Sequence, residues 1–538
     1  MTINLRDALL NGLKNLPGTR EFHLHVLVSS PRKHGGLFPF SLPRCRSYLQ
    51  DVLILLSEQT TPDSPRIFVT AIEACVYNIP TTSSAILYIS KVDSTGQASF
   101  PSPTASLVES FLLYYADPAT RPIHAQHFWI QLFARAQHQY IFPNSSEYEG
   151  KKWLNDTRLC SWWKRVYTKV SAELASRLPS TALLKLYYLI PGYENLDAEH
   201  TLKIASSSSS NSSDSPNATW IYGHPYSQTD IPLPCPRDAG SSSSNTKNLG
   251  NYIPSFDDDP KSRFIDEIAY MTEKEGIKSP PRKRARTIST SRHEDTVPVS
   301  GSAAAGGEGA EKSEVQDRPL GELGKVTPSE FWERMSFRQE CVSGAVTGFF
   351  TLIVSVKDAE TDGSTSTVSP LAPQAGQVSS NVNKRVMTSL MTGVEFSTRE
   401  RAVNATESIE NAIKGLCEGI ALVPVPVIQP TRSRPPSHQE DQRRKSSDTE
   451  TATATTYLAP PRTPPRRNRE LLPDISPNPF PEPEPTLETY NSHIYGSICV
   501  SNPPKTRDEN VPNGEKKEAT SVPQVTVLAV RKKKKRAD

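Results

Sequence analysis

Cysteine is scarce in this chain of 538 residues, and its seven copies are scattered: Cys45, Cys75, Cys160, Cys235, Cys341, Cys417 and Cys499. No CxxC pair or Cys/His ligand spacing links them, which argues against structural zinc and a disulfide framework; reduced thiols and no metal are the expectation. No apolar run reaches the roughly 18 residues of a spanning helix. The leucine-rich start carries Asp7 and Lys14 rather than a signal-peptide pattern, so a membrane span and secretion are both disfavoured and the expectation is a soluble, intracellular protein. A Walker loop, a GxSxG elbow, an HExxH pair and a GxGxxG turn are also missing, which removes the phosphate-loop, serine-hydrolase, zincin and dinucleotide classes. Apolar residues are few, at 36%, while Pro reaches 47. The length would hold about three to four average domains. Yet all six Trp lie at or before Trp332, and the chain after Val425 is dominated by Pro, Ser, Thr, Arg and Glu, which bury too little apolar surface to offset chain entropy.

What is present reads as a single α/β core over residues 1–425, a central mixed sheet flanked by helices. Disordered insertions are expected at about 205–216, 236–250, 278–325 and 363–382, and a disordered tail over 426–538. Leu5, Leu9, Leu10, Leu13 and Leu16 repeat with helical spacing ahead of Pro17-Gly18. Phe22 to Val28, Arg66 to Asn78 and Ser84 to Val92 predict strands, being rich in β-branched and aromatic residues between turn signals. Helices are predicted for Leu107 to Ala116, His127 to Ala136 and Arg158 to Leu178. Trp220 to Gly223 reads as an anchored island, with order returning at Tyr252. Thr327-Pro328-Ser329-Glu330 is a capping box that starts a helix from Phe331 to Cys341. Ala345 to Lys357 predicts a buried strand, and Ser397 to Cys417 a last amphipathic helix.

Net charge is only +3, but cations are clustered at Pro281 to Arg286 (PRKRAR), Pro464 to Arg469 (PPRRNR) and Arg531 to Arg536 (RKKKKR). Such clusters serve nuclear import or polyanion binding, or are plain solvated tails; three of them point to the nucleus. Three places invite chemistry. The stretch from Asp93 to Ser106 is dense in hydroxyls and leads into a helix, so it either caps that helix or receives a pyrophosphate on its free amides. Tyr140, Lys151, Lys152, Trp153, Trp162 and Trp163 group cations with flat apolar surfaces, either as core or as walls for a ligand with a charged end and an apolar arm. In Asp257-Asp258-Asp259-Pro260-Lys261-Ser262-Arg263-Phe264, an N-cap is followed by two cations in the first turn, Lys261 and Arg263, where the helix dipole disfavours them. That is either a cap with an ion pair or a functional site.

In this order, SKVDSTG at Ser90, LFARAQHQYIFPNSS at Leu132, KKWLNDTRLCSWW at Lys151, LIPG at Leu189, DDPKSRF at Asp258 and SEFWERMSFRQE at Ser329 resemble the fungal chaperone-dependent histone H3 lysine acetyltransferases of the regulator-of-Ty-transposition type. The likeness covers residues 65–420 and, more weakly, VTVLAVRKKKKR from Val525. These enzymes are distant structural cousins of the CBP-type acetyltransferases. The resemblance implies a single acetyltransferase core that carries acetyl from acetyl-CoA to newly synthesised H3, at position fifty-six and N-terminal lysines, in replication-coupled nucleosome assembly, DNA repair and genome stability. It implies histone H3-H4 and histone chaperones of the nucleosome-assembly-protein and anti-silencing-function types as partners, with no membrane and no sequence-specific DNA binding.

Residue by residue, the resemblance implies that Val92, Asp93 and Ser94 line the thioester and pantetheine region. The turn of Pro101, Ser102, Pro103, Thr104 and Ala105 would sit at the phosphates, and Phe133, Arg135 and Gln137 would form the opposite wall. Lys151, Lys152, Trp153 and Trp162 would complete the cofactor site; the family carries a His where this chain has Trp153. Tyr140 and Trp163 would form the substrate-lysine channel, Asp259 would be the catalytic acid/base with Asp258 beside it, and Lys261 would be the lysine that the enzyme acetylates on itself. The rival reading is a non-catalytic chromatin scaffold or histone chaperone built on a degenerate acetyltransferase core.

Overall fold

The computed structural model describes residues 4–207, 219–236, 248–272, 276–277, 322–338, 346–356, 369–418 and 478–504. An opening helix α1 (Leu5–Leu13) precedes five strands, β1 (Gly18–Ser29), β2 (Arg32–His34), β3 (Ser47–Gln59), β4 (Ile67–Ile79) and β5 (Ser84–Ser94). Then follow α2 (Thr104–Ala116), β6 (His127–Ala134), α3 (Asp156–Arg177), β7 (Leu183–Leu189), α4 (Asn195–Ser207) and β8 (Trp220–Tyr222). Beyond them lie α5 (Pro260–Tyr270), the small ribbon of β9 (Met271–Thr272) and β10 (Gly276–Ile277), α6 (Pro328–Met335), β11 (Gly348–Ser355) and β12 (Gln377–Val378). Two helices, α7 (Ser380–Thr392) and α8 (Arg399–Glu418), and a last strand, β13 (Tyr495–Asn502), complete the described chain.

One sheet runs in the order β12-β1-β3-β4-β5-β6-β11-β7-β8, with β13 on the outer side of β1 and β2 against β3. It is mixed: β5 with β6, β7 with β8 and β1 with β12 are parallel, and its other pairs are antiparallel. Period-two alternation splits the core in two. Phe22, Leu24, Val52, Ile54, Leu87, Ile130 and Leu352 face α1 to α4. On the other face, Tyr88, Trp129 and Ile353 pack under α5 and α6, and Leu27, Leu53 and Leu55 under α7 and α8. The central mixed sheet flanked by helices is the expected class. Among the described residues, no helix is long and apolar enough to cross a membrane.

Several local expectations are corrected. The segment His127 to Ala136, read as a helix, is strand β6, because Phe128, Ile130 and Leu132 enter one core layer and Trp129 the other. A short apolar run buried on both faces is what a central strand presents. The helix read to Cys341 ends at Met335, and residues 339–345 lie outside the described chain. The expected insertion at 205–216 begins inside α4, and that at 278–325 closes on buried Leu323. Asn248, ahead of the expected Tyr252, is already anchored: its Nδ2 donates to the Phe40 carbonyl at 2.7 Å, and a Cβ on Gly250 would sit 2.6 Å from that oxygen. The expected loop 363–382 contains β12 and the start of α7, anchored by Val378 and Val382. The Val525 to Val530 strand and the three basic clusters lie outside the described residues.

The largest correction concerns the tail. Residues 495–502 pair antiparallel with Gly18 to His25 of β1. Tyr490, Ile494 and Val500 are buried, and Arg6 Nη1 donates to the carbonyls of Asn491 and Tyr495 at 2.6 and 2.9 Å. Three buried side chains at about 1.5–3 kcal/mol each, plus the ladder, are worth on the order of 5 kcal/mol. Deleting residues 478–538 is therefore expected to lower the thermal midpoint by 10 °C or more, and deleting 505–538 to leave it within about 2 °C, as read by calorimetry.

Candidate active site

The unit β5-α2-β6 places two parallel strands side by side with their carboxyl ends pointing the same way, the position where such sheets open a crevice. A cavity of about 500 Å³ lies there. Val92, Asp93 and Ser94 at the end of β5 line it, with Gly96 and Ala98 just beyond. Ser99, Phe100, Ser102, Thr104 and Ala105 form the side leading into α2. Ala136, Gln137 and Tyr140, the Gly150 to Leu154 loop, and Leu159, Trp162 and Trp163 of α3 close the opposite side.

Asp93 is the hub of this site. It is 6% exposed; its Oδ2 accepts from the amides of Tyr140, Ile141 and Phe142 at 2.8, 2.8 and 3.1 Å. Its Oδ1 accepts from the Ser94 amide at 2.8 Å and from Lys151 Nζ at 3.0 Å. A carboxylate so saturated is a scaffold rather than a base. Lys151, expected at a phosphate, is buried instead, with Nζ on Asp93 and on Ser145 Oγ at 2.8 Å. Burial lowers its pKa, and Asp93 opposes that drop. Gly96 has φ +79°, and a Cβ there would stand 2.5 Å from Lys151 Cα, so the close approach of these two segments requires glycine.

Helix α2 starts at Thr104 behind Pro103, which supplies no side-chain cap, and the Thr104 amide donates a long bond to Ser102 Oγ at 3.4 Å. Thr104 Oγ1 meets Thr70 Oγ1 at 2.8 Å and Ser102 Oγ at 3.0 Å. The first-turn amides of a helix have no intrahelical partner and attract anions, so the cavity combines an anion seat with apolar walls from Val92, Ala98, Leu159 and Trp162. Trp162 and Trp163 meet edge to face, centroids 4.7 Å apart; Trp163 is buried and Trp162 half-buried. Trp153, 49% exposed, packs against His138 in a tilted arrangement, ring centroids 4.4 Å apart. Tyr140 donates its hydroxyl to the Arg135 carbonyl, and burial raises the phenol pKa, which keeps that proton in place near neutral pH.

Not every expected residue reaches the cavity. Pro101, Pro103 and Arg135 belong to the lining segments without lining them, and Phe133 turns to the opposite face, 4.8 Å from Phe349. Asp258 is exposed with φ 61°. Asp259 and Lys261 are buried and do not line the cavity. Asp259 Oδ1 accepts from the Lys261 amide at 2.9 Å, and its Oδ2 from Lys261 Nζ at 2.6 Å. The ammonium lies over Phe256 and Phe349, at 5.4 and 4.9 Å from their centroids. The cation that the helix dipole disfavours is thus held by the residue that caps the helix. Lys261 also borders a second small cavity with His224, Tyr226 and Trp332. Sequence reasoning kept Gly96 and Phe100 within the Asp93 to Ser106 stretch without giving either a role, and gave Ser145 none; a glycine two residues beyond β5 was the available signal.

Residues 115–412 match the histone acetyltransferase KAT11-type domain. The chain is similar to the histone acetyltransferase rtt109 of Aspergillus flavus, 28% identical over 334 residues covering 58% of this chain and 48% of that protein. It is also similar to the histone acetyltransferase rtt109 of Schizosaccharomyces pombe, 27% identical over 342 residues covering 62% of this chain and 68% of that protein. The chain thus spans about half the length of the Aspergillus flavus relative it matches. In fold it is similar to the crystal structure of Rtt109 from Aspergillus fumigatus, with a TM-score of 0.52 and 20% identity over 76% of this chain and 95% of that one.

Proposed function

Because the chain belongs to the KAT11-type histone acetyltransferase family, we propose that it transfers the acetyl group of acetyl-CoA to lysines of histone H3 in the nucleus. Its substrate is newly synthesised H3-H4, at position fifty-six and N-terminal lysines, presented by chaperones of the nucleosome-assembly-protein and anti-silencing-function types during replication-coupled assembly. One observation carries the catalytic reading: a single cavity joins an anion-seating helix start to a tryptophan-lined apolar arm, the shape and polarity of a CoA diphosphate followed by pantetheine. Ser102, Thr104 and the α2 amides take the phosphates, Val92 and Trp162 flank the pantetheine, and Tyr140 and Trp163 border the incoming lysine.

The substrate lysine, with an ordinary pKa near 10.4, loses a proton before its nitrogen attacks the thioester carbonyl. The N–C bond forms, the C–S bond breaks, and CoA leaves as the thiol. Asp93 is saturated and the Tyr140 phenol stays protonated, so neither takes that proton; positioning supplies much of the rate. The resemblance gives Asp259 the role of orienting the substrate ammonium and passing its proton to water; since it is buried outside the cavity with both oxygens on Lys261, it meets the substrate only after Lys261 leaves Oδ2. Acetylation of Lys261 by the enzyme itself removes that ammonium and releases the carboxylate. Peptide mass spectrometry after incubation with acetyl-CoA should find Lys261 acetylated; an unmodified Lys261 in a preparation that acetylates H3 would remove this step.

The cofactor half is tested by thermal shift. Acetyl-CoA at about 100 times its Kd should stabilise the protein by about 2.7 kcal/mol. No shift at any concentration favours the non-catalytic chromatin scaffold.

A further inference from the structure

Two buried charges stand outside the cavity, behind the turn that leads from β5 into α2. Arg20 of β1 and Glu58 of β3 form an ion pair at 3.4 Å, with side chains 2% and 3% exposed. Neither lines the cavity; both grip the turn between β5 and α2 that does. Arg20 Nη1 donates to the Ser99 carbonyl at 2.9 Å, and Nη2 to the Pro101 carbonyl at 2.8 Å. Glu58 receives the Ser99 amide on Oε1 and Oε2 at 3.1 and 3.3 Å. The turn itself is only partly buried, and three of its backbone groups are met by buried side chains from strands distant in sequence. Arginine suits the task because its planar fork presents several donors in fixed directions, which a lysine ammonium cannot reproduce.

A buried ion pair is weak evidence for stability, since well-packed apolar residues often serve as well. This pair does what apolar residues cannot: it fixes both ends of the three-residue turn, with Phe100, 63% exposed, projecting between them at the cavity rim. Ser102 follows directly, and its hydroxyl and that of Thr104 share a hydrogen bond at 3.0 Å. The position of the whole anion seat therefore depends on the grip.

We propose that Arg20 and Glu58 are positioning residues for cofactor binding, holding the Ser99 to Pro101 turn so that Ser102, Thr104 and the first amides of α2 face the diphosphate of CoA. This rests on the reading of the cavity as the acetyl-CoA site. The decisive variants are Arg20→Lys, which keeps the charge opposite Glu58 but loses the fork, and Glu58→Gln, which keeps the shape and one acceptor. In the full-length protein, Arg20→Lys should raise KM for acetyl-CoA about tenfold and leave kcat and KM for H3-H4 within twofold; Glu58→Gln should do the same at about threefold.

Calorimetry with CoA and with acetyl-pantetheine, which lacks the diphosphate, locates the effect. Arg20→Lys should weaken CoA about tenfold and acetyl-pantetheine less than twofold. Equal weakening of both ligands, or unchanged CoA binding by both folded variants, would overturn the positioning role. Failure of the parent protein to bind CoA would overturn the cavity reading itself, a separate result visible before any variant is made.

Discussion

An Asp93→Ala variant is expected to lose acetyl transfer and a large part of its folding stability together. The carboxylate receives the three successive amides of residues 140–142, the Ser94 amide and the Lys151 ammonium. Its removal leaves the four amides without that acceptor and the Lys151 ammonium with Ser145 Oγ alone. Breaking one side of a buried ion pair costs about 3–5 kcal/mol, a large fraction of the 5–15 kcal/mol typical of a folded domain. The loop carrying Tyr140 and the segment carrying Lys151 then lose their common anchor, and both are cavity walls. Denaturant melts with single-turnover transfer assays check this; a variant within about 1 kcal/mol of the parent, with full activity, would mean that Asp93 does not organise the site.

The second large effect concerns Asp259 and Lys261. Asp259→Asn preserves the helix cap, since Asn caps about as well as Asp, but leaves the Lys261 ammonium facing Phe256, Phe349 and a neutral amide. A loss of about 3–5 kcal/mol follows from the stranded charge, and turnover should fall at least a hundredfold from the lost carboxylate. Lys261→Met separates the two contributions, because methionine fills the same space between the aromatic rings without a charge. In the double variant, stability should recover to within about 1.5 kcal/mol of the parent while turnover stays low. Recovery of turnover along with stability would make Asp259 a structural cap alone.

Much of this architecture was legible because local signals and tertiary demands agree. The leucine spacing of α1, the capping box before α6, the Trp-bearing stripe of α3 and the strand running into Asp93 all have one dominant period and clear ends. Where the reading failed, burial on both faces or composition hid the answer. β6 has apolar residues in both core layers, so periodicity could not separate it from a buried helix. β13, α7 and the Asn248 anchor sit beside Ser-, Gly- or Pro-rich sequence, and a few buried residues such as Val500, Val382 and Leu249 fix them.

The candidate site divides the same way. Residues contiguous with a strand end or a helix start were found, and Asp93, Ser102, Thr104, Lys151, Lys152 and Trp162 do line one cavity. What pairs with what was hidden: that Lys151 belongs to Asp93 rather than to a phosphate, and that Arg20 and Glu58 hold a turn some forty or more residues away, depend on sheet register. No spacing rule carries such a long-range partner, and a lone Arg in a strand has no sequence mark of burial.

The central claim is that the cavity at the ends of β5 and β6 delivers an acetyl group to histone H3. Its most direct test mixes the purified full-length protein with radiolabelled acetyl-CoA and H3-H4, with and without an acidic histone chaperone, beside the Asp93→Ala variant. The account expects label on H3 lysines, more with the chaperone than without, and none above background with the variant. Acetyl-CoA bound at the cavity with no label on H3 under either condition would contradict it and leave a chromatin-binding protein on an acetyltransferase fold.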